Sequence, residues 1–291
     1  MNKNLLIPAA FLLVSPLSHA DFALSVSGGQ ADYELVVAEE PDYTETVDGD
    51  FGYRDITLDY TTGSHQFGIK LGGLAQESDV ISATESFTAA EGVLGVATDT
   101  GDLERDEWSL FYTYRLDQWA FTAGYYSGES SLDRNFVVEY DYEGIGTRTQ
   151  ASVAKKTIDN SGLFAGVAYG FMITERMGGF VRAGYQLSSV DETIDLAATD
   201  TLSGNLVFES GLQTDEFAAI RNMDTDGSAT VLGAGVFYGI NENWSATLYI
   251  DQKSFNYDSG EYTWSDGYGE PTPVKLDEEQ QTIGLTLRYA F

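Results

Sequence analysis

The sequence predicts an all-β fold: a transmembrane antiparallel up-and-down β-barrel of ten strands, with short turns at one end and long loops at the other. Three observations carry this expectation. Apolar and polar residues alternate over segments of about 9 to 11 residues, the length a tilted membrane strand needs. The phase is inside out, because the polar set is rich in Gly, Thr, Ser and charge, whereas a soluble barrel or sandwich turns its apolar set inward. Within the alternating spans the ionisable acids and bases are Asp59, Lys70, Arg182 and Arg288, and all four fall on the polar phase. A Lys or Arg facing lipid near the midplane would cost ~2–4 kcal/mol.

Taken in order, residues 1–20 carry one base, Lys3, an apolar stretch from Leu5 to Val14, and small residues Ser18 and Ala20 where a signal peptidase cuts. They are expected to be a cleaved signal peptide, with 21–291 forming the barrel domain. The first strand presents Phe22, Leu24 and Val26 outward, and Gly28-Gly29 is expected to mark a bulge or phase shift. A turn near 61–64 joins a strand with Ile56, Leu58 and Tyr60 outward to one with Phe67, Ile69 and Leu71 outward. A second, at 117–118, joins Trp108, Leu110, Tyr112, Tyr114 to Trp119, Phe121, Ala123, Tyr125. A third, at 174–176, joins Leu163, Ala165, Val167, Tyr169, Phe171 to Val181, Ala183, Tyr185. A fourth, at 241–243, joins Leu232, Ala234, Val236, Tyr238 to Trp244, Ala246, Leu248, Ile250, and the last strand shows Ile283, Leu285, Leu287, Tyr289 and Phe291. Five segments between these turns, 37–52, 75–106, 127–157, 190–228 and 254–280, are expected as long loops. A hairpin within 75–106 or 190–228 would raise the count to twelve strands, and Val190, Glu192, Ile194, Leu196 alternate as a strand continuing beyond the bilayer would.

The nine residues Ile283 to Phe291 are similar to the closing strand of Gram-negative outer-membrane β-barrel proteins, in which a terminal Phe belongs to the assembly signal. The resemblance implies that Leu287, Tyr289 and Phe291 are read by the barrel-assembly machinery. It also implies an outer-membrane location with both chain ends periplasmic, and contact with outer-membrane lipid and lipopolysaccharide. A monomer is expected. Trp and Tyr favour membrane interfaces, so Tyr60, Tyr114, Trp119, Tyr238, Trp244 and Tyr289, all beside the short turns, are expected to form a girdle, with Trp108 in a sparser one at the other ends.

With no Cys, lipoprotein anchoring, disulfides and thiolate metal sites are excluded. The chain holds 46 acids against 15 bases, a net charge of −31. Segment 37–52 contains six acids and no base, and 190–228 contains nine acids with Arg221 as the one base. Such loops repel nucleic acid and attract cations. Divalent cations at the loops are one candidate partner, a salt-adapted surface the other reading. Asn222-x-Asp224-x-Asp226-Gly227 resembles the first half of an EF-hand loop, but Gly233 stands where the bidentate Glu belongs, so Asp226-Gly227 is expected to be a turn. No cofactor is expected.

The inward phase carries Asp55, Asp59, Lys70, Arg115, Arg182, Asp251, Lys253 and Arg288. Asp59, Arg115 and Arg288 should share a layer near the short turns, with Lys70, Arg182 and Asp251 higher. Ten strands enclose a narrow lumen, which favours a charge network that plugs it over a selectivity constriction. Enzymes of this membrane, the ten-stranded omptin proteases among them, generally rest on a histidine near the outer rim. Beyond residue 20 this chain has His65 alone, beside a short turn, and no Asp-x-His pair, so the likeness to omptins stops at strand number and no enzyme is expected. Three functions stay open: a surface binding or adhesion scaffold acting through its loops, which is preferred, a narrow channel for small or cationic solutes, and a hydrolase.

Overall fold

The computed structural model describes residues 21–39, 43–90, 93–143, 145–203, 214–264 and 271–291. The expected signal peptide, 1–20, lies outside the described residues. The strands are β1 (Asp21–Glu39), β2 (Tyr43–Thr62), β3 (His65–Ala90), β4 (Val93–Leu116), β5 (Trp119–Tyr142), β6 (Gly146–Met172), β7 (Met177–Leu202), β8 (Thr214–Gly239), β9 (Trp244–Tyr257), β10 (Gly260–Trp264) and β11 (Thr272–Ala290). Each pairs antiparallel with its neighbours, and β1 pairs with β11 to close the ring. β9 and β10 form one stave. β9 pairs Tyr257 with Gly227 of β8, and β10 pairs Thr263 with Asn222, a one-residue slip that marks a bulge at Asp258-Ser259. The barrel therefore has ten staves. Following paired residues once around it leads from Tyr33 back to β1 at Asp21, a stagger of twelve residues, which tilts the strands by roughly 35–45°.

The four short turns fall where the polar breaks lie in the sequence. Thr62 pairs with His65 and Leu116 with Trp119, leaving two-residue loops. Gly63 and Asp117 take φ of 57° and 51° there, the left-handed backbone that two-residue hairpins require. In the 240–243 loop, Asn241 accepts backbone N–H bonds from Asn243 and Trp244, both at 2.9 Å, in an Asx turn.

At the other end the structure corrects the expected long loops. Segments 37–52, 75–106, 127–157, 190–228 and 254–280 are strand over most of their described length. The β5–β6 ladder continues to Tyr142↔Gly146 and the β7–β8 ladder to Thr201↔Thr214. Among the described residues neither 75–106 nor 190–228 adds a hairpin of its own; each lengthens strands already counted. Beyond the bilayer the backbone N–H and C=O groups still need partners, and extending the ladder satisfies them.

Gly28-Gly29 is also corrected. The β1 pairing runs unbroken through both glycines, and burial keeps alternating with the same parity. What changes is the chemistry of the two faces. Below the glycines Phe22, Leu24 and Val26 point out and Ser25 and Ser27 point in; above them Gln30, Asp32 and Glu34 point out and Tyr33, Leu35 and Val37 are buried inside. β11 repeats the switch, with Ile283, Leu285 and Leu287 exposed outside and Val274 and Leu276 buried inside.

The molecule is thus a two-storey barrel. Its lower storey wears an exposed apolar belt that includes Leu58, Ile69, Leu110, Phe121, Leu163, Val181, Val236 and Leu248. An apolar band of this kind, ~25 Å tall, is the signature of a barrel in lipid, and the chain is a transmembrane β-barrel. The upper storey is built like a soluble barrel, with a dry core containing Leu35, Leu103, Leu132, Ile158, Val190 and Leu276. Aromatic rings edge the belt at the turn end in cross-strand pairs. Trp119 meets Tyr169 and Trp244 meets Tyr289, both at 5.0 Å, and Phe22 meets Tyr60 at 4.9 Å, while along the last strand Tyr289 meets Phe291 at 5.0 Å. Tyr114 and Tyr238 stand exposed at the same edge, and Trp108 packs on Tyr125 at 5.6 Å at the upper edge.

Candidate functional site

Strand alternation sends every second side chain into the lumen, where three levels form. The lowest, beside the short turns, holds Asp59 of β2, Gln66 of β3, Arg115 of β4 and Arg288 of β11, all buried. Arg288 Nη2 donates to Asp59 at 3.2 Å and Arg115 Nη2 donates to Gln66 Oε1 at 2.6 Å. Phe180 and Phe237 are buried inside the barrel as well. The hydroxyls of Ser25, Thr57, Thr61 and Ser245 and Arg115 Nε have no hydrogen-bond partner within the protein.

The middle level carries Asp55, Lys70, Glu107, Arg182, Asp251 and Lys253 around a cavity of about 220 Å³. Lys70 sits between two carboxylates, 3.7 Å from Asp55 and 3.5 Å from Glu107. Asp55 also accepts bonds from Tyr53 at 2.6 Å and Ser27 at 3.0 Å. Arg182 grips Asp251 through Nε and Nη2, the bidentate geometry in which a guanidinium pairs most strongly. Lys253 differs. Its ammonium lies over the rings of Phe255, at 4.3 Å, and Tyr126, at 5.6 Å.

The third level is a network that caps the chamber. Arg105 of β4 pairs with Glu278 of β11. Tyr257 donates to Glu278 at 2.7 Å, Asn160 Nδ2 donates to Tyr257 at 3.1 Å, and Tyr126 donates to Asn160. The dry core stands above, enclosing a further pair, Lys156 and Glu192 at 3.3 Å, with Tyr262 donating to Glu192 at 2.8 Å. Burying charge is costly unless each group is paired and hydrogen-bonded, and these bonds do that while occupying the cross-section.

All eight inward charges named from the sequence face the lumen. Asp59, Arg115 and Arg288 share the low level, and the other five surround the cavity. Sequence reasoning missed Arg105, Glu107, Glu278, Lys156 and Glu192. All but Glu107 fall in segments expected as loops. Continuing the β4 parity from Trp108 would have turned Glu107 and Arg105 inward.

The outer face of the upper storey is acidic. Asp106, Glu129, Asp159, Asp191 and Asp224 are direct cross-strand partners on five successive strands, all exposed. Carboxylates directly opposite one another repel, and a hydrogen bond with Asp224 holds the Asp191 carboxyl above its ordinary pKa. The calcium-like segment is corrected as well. Asn222, Asp224, Asp226 and Gly227 lie within extended β8 rather than in a loop or turn. Alternate side chains on a strand stand about 6.6 Å apart, too far to wrap one ion. No metal-holding group of His, Cys, Asp or Glu occurs among the described residues. His65 lies on the outer face at the turn end, 2.8 Å from the Tyr112 hydroxyl.

No family model and no curated protein matches the chain. Among solved structures it is similar to the outer membrane protease OmpT from Escherichia coli, at 9% identity over 96% of this chain and 99% of that chain, with a TM-score of 0.47. It is also similar to the Pseudomonas putida toluene transporter TodX, at 8% identity over 94% and 90% with a TM-score of 0.36. The Pseudomonas aeruginosa outer membrane protein OprG shares 14% identity over 94% and 98%, with a TM-score of 0.29.

Proposed function

We propose that this chain is a non-enzymatic outer-membrane barrel with a closed lumen, working as a binding or adhesion scaffold through the acidic outer face of its upper storey. The short turns face the periplasm and the upper storey faces the outside. The observation that supports this reading is the side-chain packing inside the barrel at two levels: buried charges and phenylalanines at the turn end, and a hydrogen-bonded network under an apolar core at the other. A solute would have to break both. Functional variety then falls to the water-exposed wall, where a rigid ladder presents carboxylates toward cationic partners. Divalent cations bridging these acids to lipopolysaccharide phosphates fit the same chemistry. In this reading the barrel is a monomer and enters the membrane through its last strand, with Leu287, Tyr289 and Phe291 as the signal.

The test is single-channel recording of the refolded protein in a planar bilayer, with heat-modifiable gel migration as the folding control. A silent bilayer together with saturable, salt-sensitive binding of a polycation such as polylysine is the expected result. Discrete cation-selective openings would replace this reading with the narrow channel.

A further inference from the structure

We propose that the chamber in the middle of the lumen is a binding site for a small organic monocarboxylate. The other bases around it are matched: Lys70 by Asp55 and Glu107, Arg182 by Asp251. Lys253 has no carboxylate within ion-pair distance among the described residues, and rests on aromatic faces. Gln186, 5% exposed and lining the same cavity, has an Nε2 that no protein acceptor satisfies. Both residues line the same cavity, and a donor left without an acceptor in such a place is costly.

The rest of the wall defines the ligand's body. Phe111, Phe164 and Val231 line the cavity on its apolar side. Asp55, Glu107 and Asp251 face it too, so a second negative charge on the ligand would be repelled. The fit is one carboxylate held by Lys253 and Gln186, carrying a short apolar body against the phenylalanines. About 220 Å³ accepts such a molecule or a cluster of waters.

The probe is carboxyl-¹³C butyrate, present while the protein refolds so that a slow entry path does not matter, with butyramide and n-butylamine as neutral and cationic counterparts. Ligand NMR in micelles should give saturable one-site binding of butyrate, at least about tenfold weaker binding of butyramide, and none of butylamine. Lys253→Met should lose butyrate binding and Gln186→Leu should weaken it, with heat-modifiable migration verifying the fold. If Lys253→Met does not fold, the wild-type ligand series and Gln186→Leu decide. No saturable butyrate signal up to ~10 mM, equal binding of butyramide, or an unchanged affinity in folded Lys253→Met would each overturn the carboxylate site.

Discussion

Arg105 and Glu278 lie on strands that meet across the lumen, 4% and 5% exposed at their side chains, and their value to the fold comes from being matched. Removing one partner strands the other in a dry environment. Glu278→Ala is expected to lower stability by ~3–5 kcal/mol, read as a drop in the urea unfolding midpoint. The double variant Arg105→Met/Glu278→Leu should recover most of that loss, because an apolar pair of similar volume is neutral or better in such a position. On the outer wall the sign is reversed. The Asp191 pKa is raised, first by its hydrogen bond with Asp224 and then by burial and by the charges of Asp224 and Asp159. Its stabilising contribution is therefore fully present below the unfolded Asp value, ~3.9, and is lost as pH rises through the raised folded value. Asp200 runs the other way: Arg148 holds its pKa down, so its contribution is present above the unfolded value and fades as pH falls through the folded one. Asp191→Asn should raise the thermal midpoint at pH 7, at the low end of ~0.2–1 kcal/mol for an exposed pair, and the gain should vanish near pH 3.5.

At the scale of the strand, one backbone parity serves two solvents. β1 keeps the same outward positions throughout, yet Val26 meets lipid and Asp32, six residues on along the same face, meets water. Val26→Lys should cost ~2–4 kcal/mol, measured by unfolding from lipid vesicles. Asp32→Lys should stay within ~0.5 kcal/mol of the parent. If both substitutions cost the same, the belt does not end at Gly28-Gly29. The acidic row crosses five strands at direct cross-strand positions, so its carboxylates are brought together by register and not by sequence proximity.

For the whole molecule, the proposed closed lumen rests on two separated networks, so its closure should be redundant. Arg115→Ala/Arg288→Ala removes the charges of the lower level, but the Arg105–Glu278 network and the core around Leu103, Leu132 and Leu276 stay in place. That variant is expected to be less stable and to give no steady conductance in a planar bilayer. Sustained openings in it would mean that the upper storey does not seal. The outer surface carries two chemistries at different heights: an exposed apolar belt and an acidic wall.

The sequence by itself determined the class, the four tight turns and the parity of each membrane strand, and it favoured ten staves while leaving twelve open. These depend on short-range rules: alternation along one strand, polar punctuation between strands, and the cost of charge on lipid. It misread the upper storey for a physical reason. There the outside solvent changes to water, so apolar residues move to the inner face while the backbone parity stays fixed; Gly28-Gly29 then looks like a slip, and Val37, Val47 and Leu276 look like loop residues. Only the tertiary structure decided which charges meet. Arg288 with Asp59, Arg105 with Glu278 and Lys156 with Glu192 are joined by closure, stagger and register, long-range properties that no local pattern in the chain encodes.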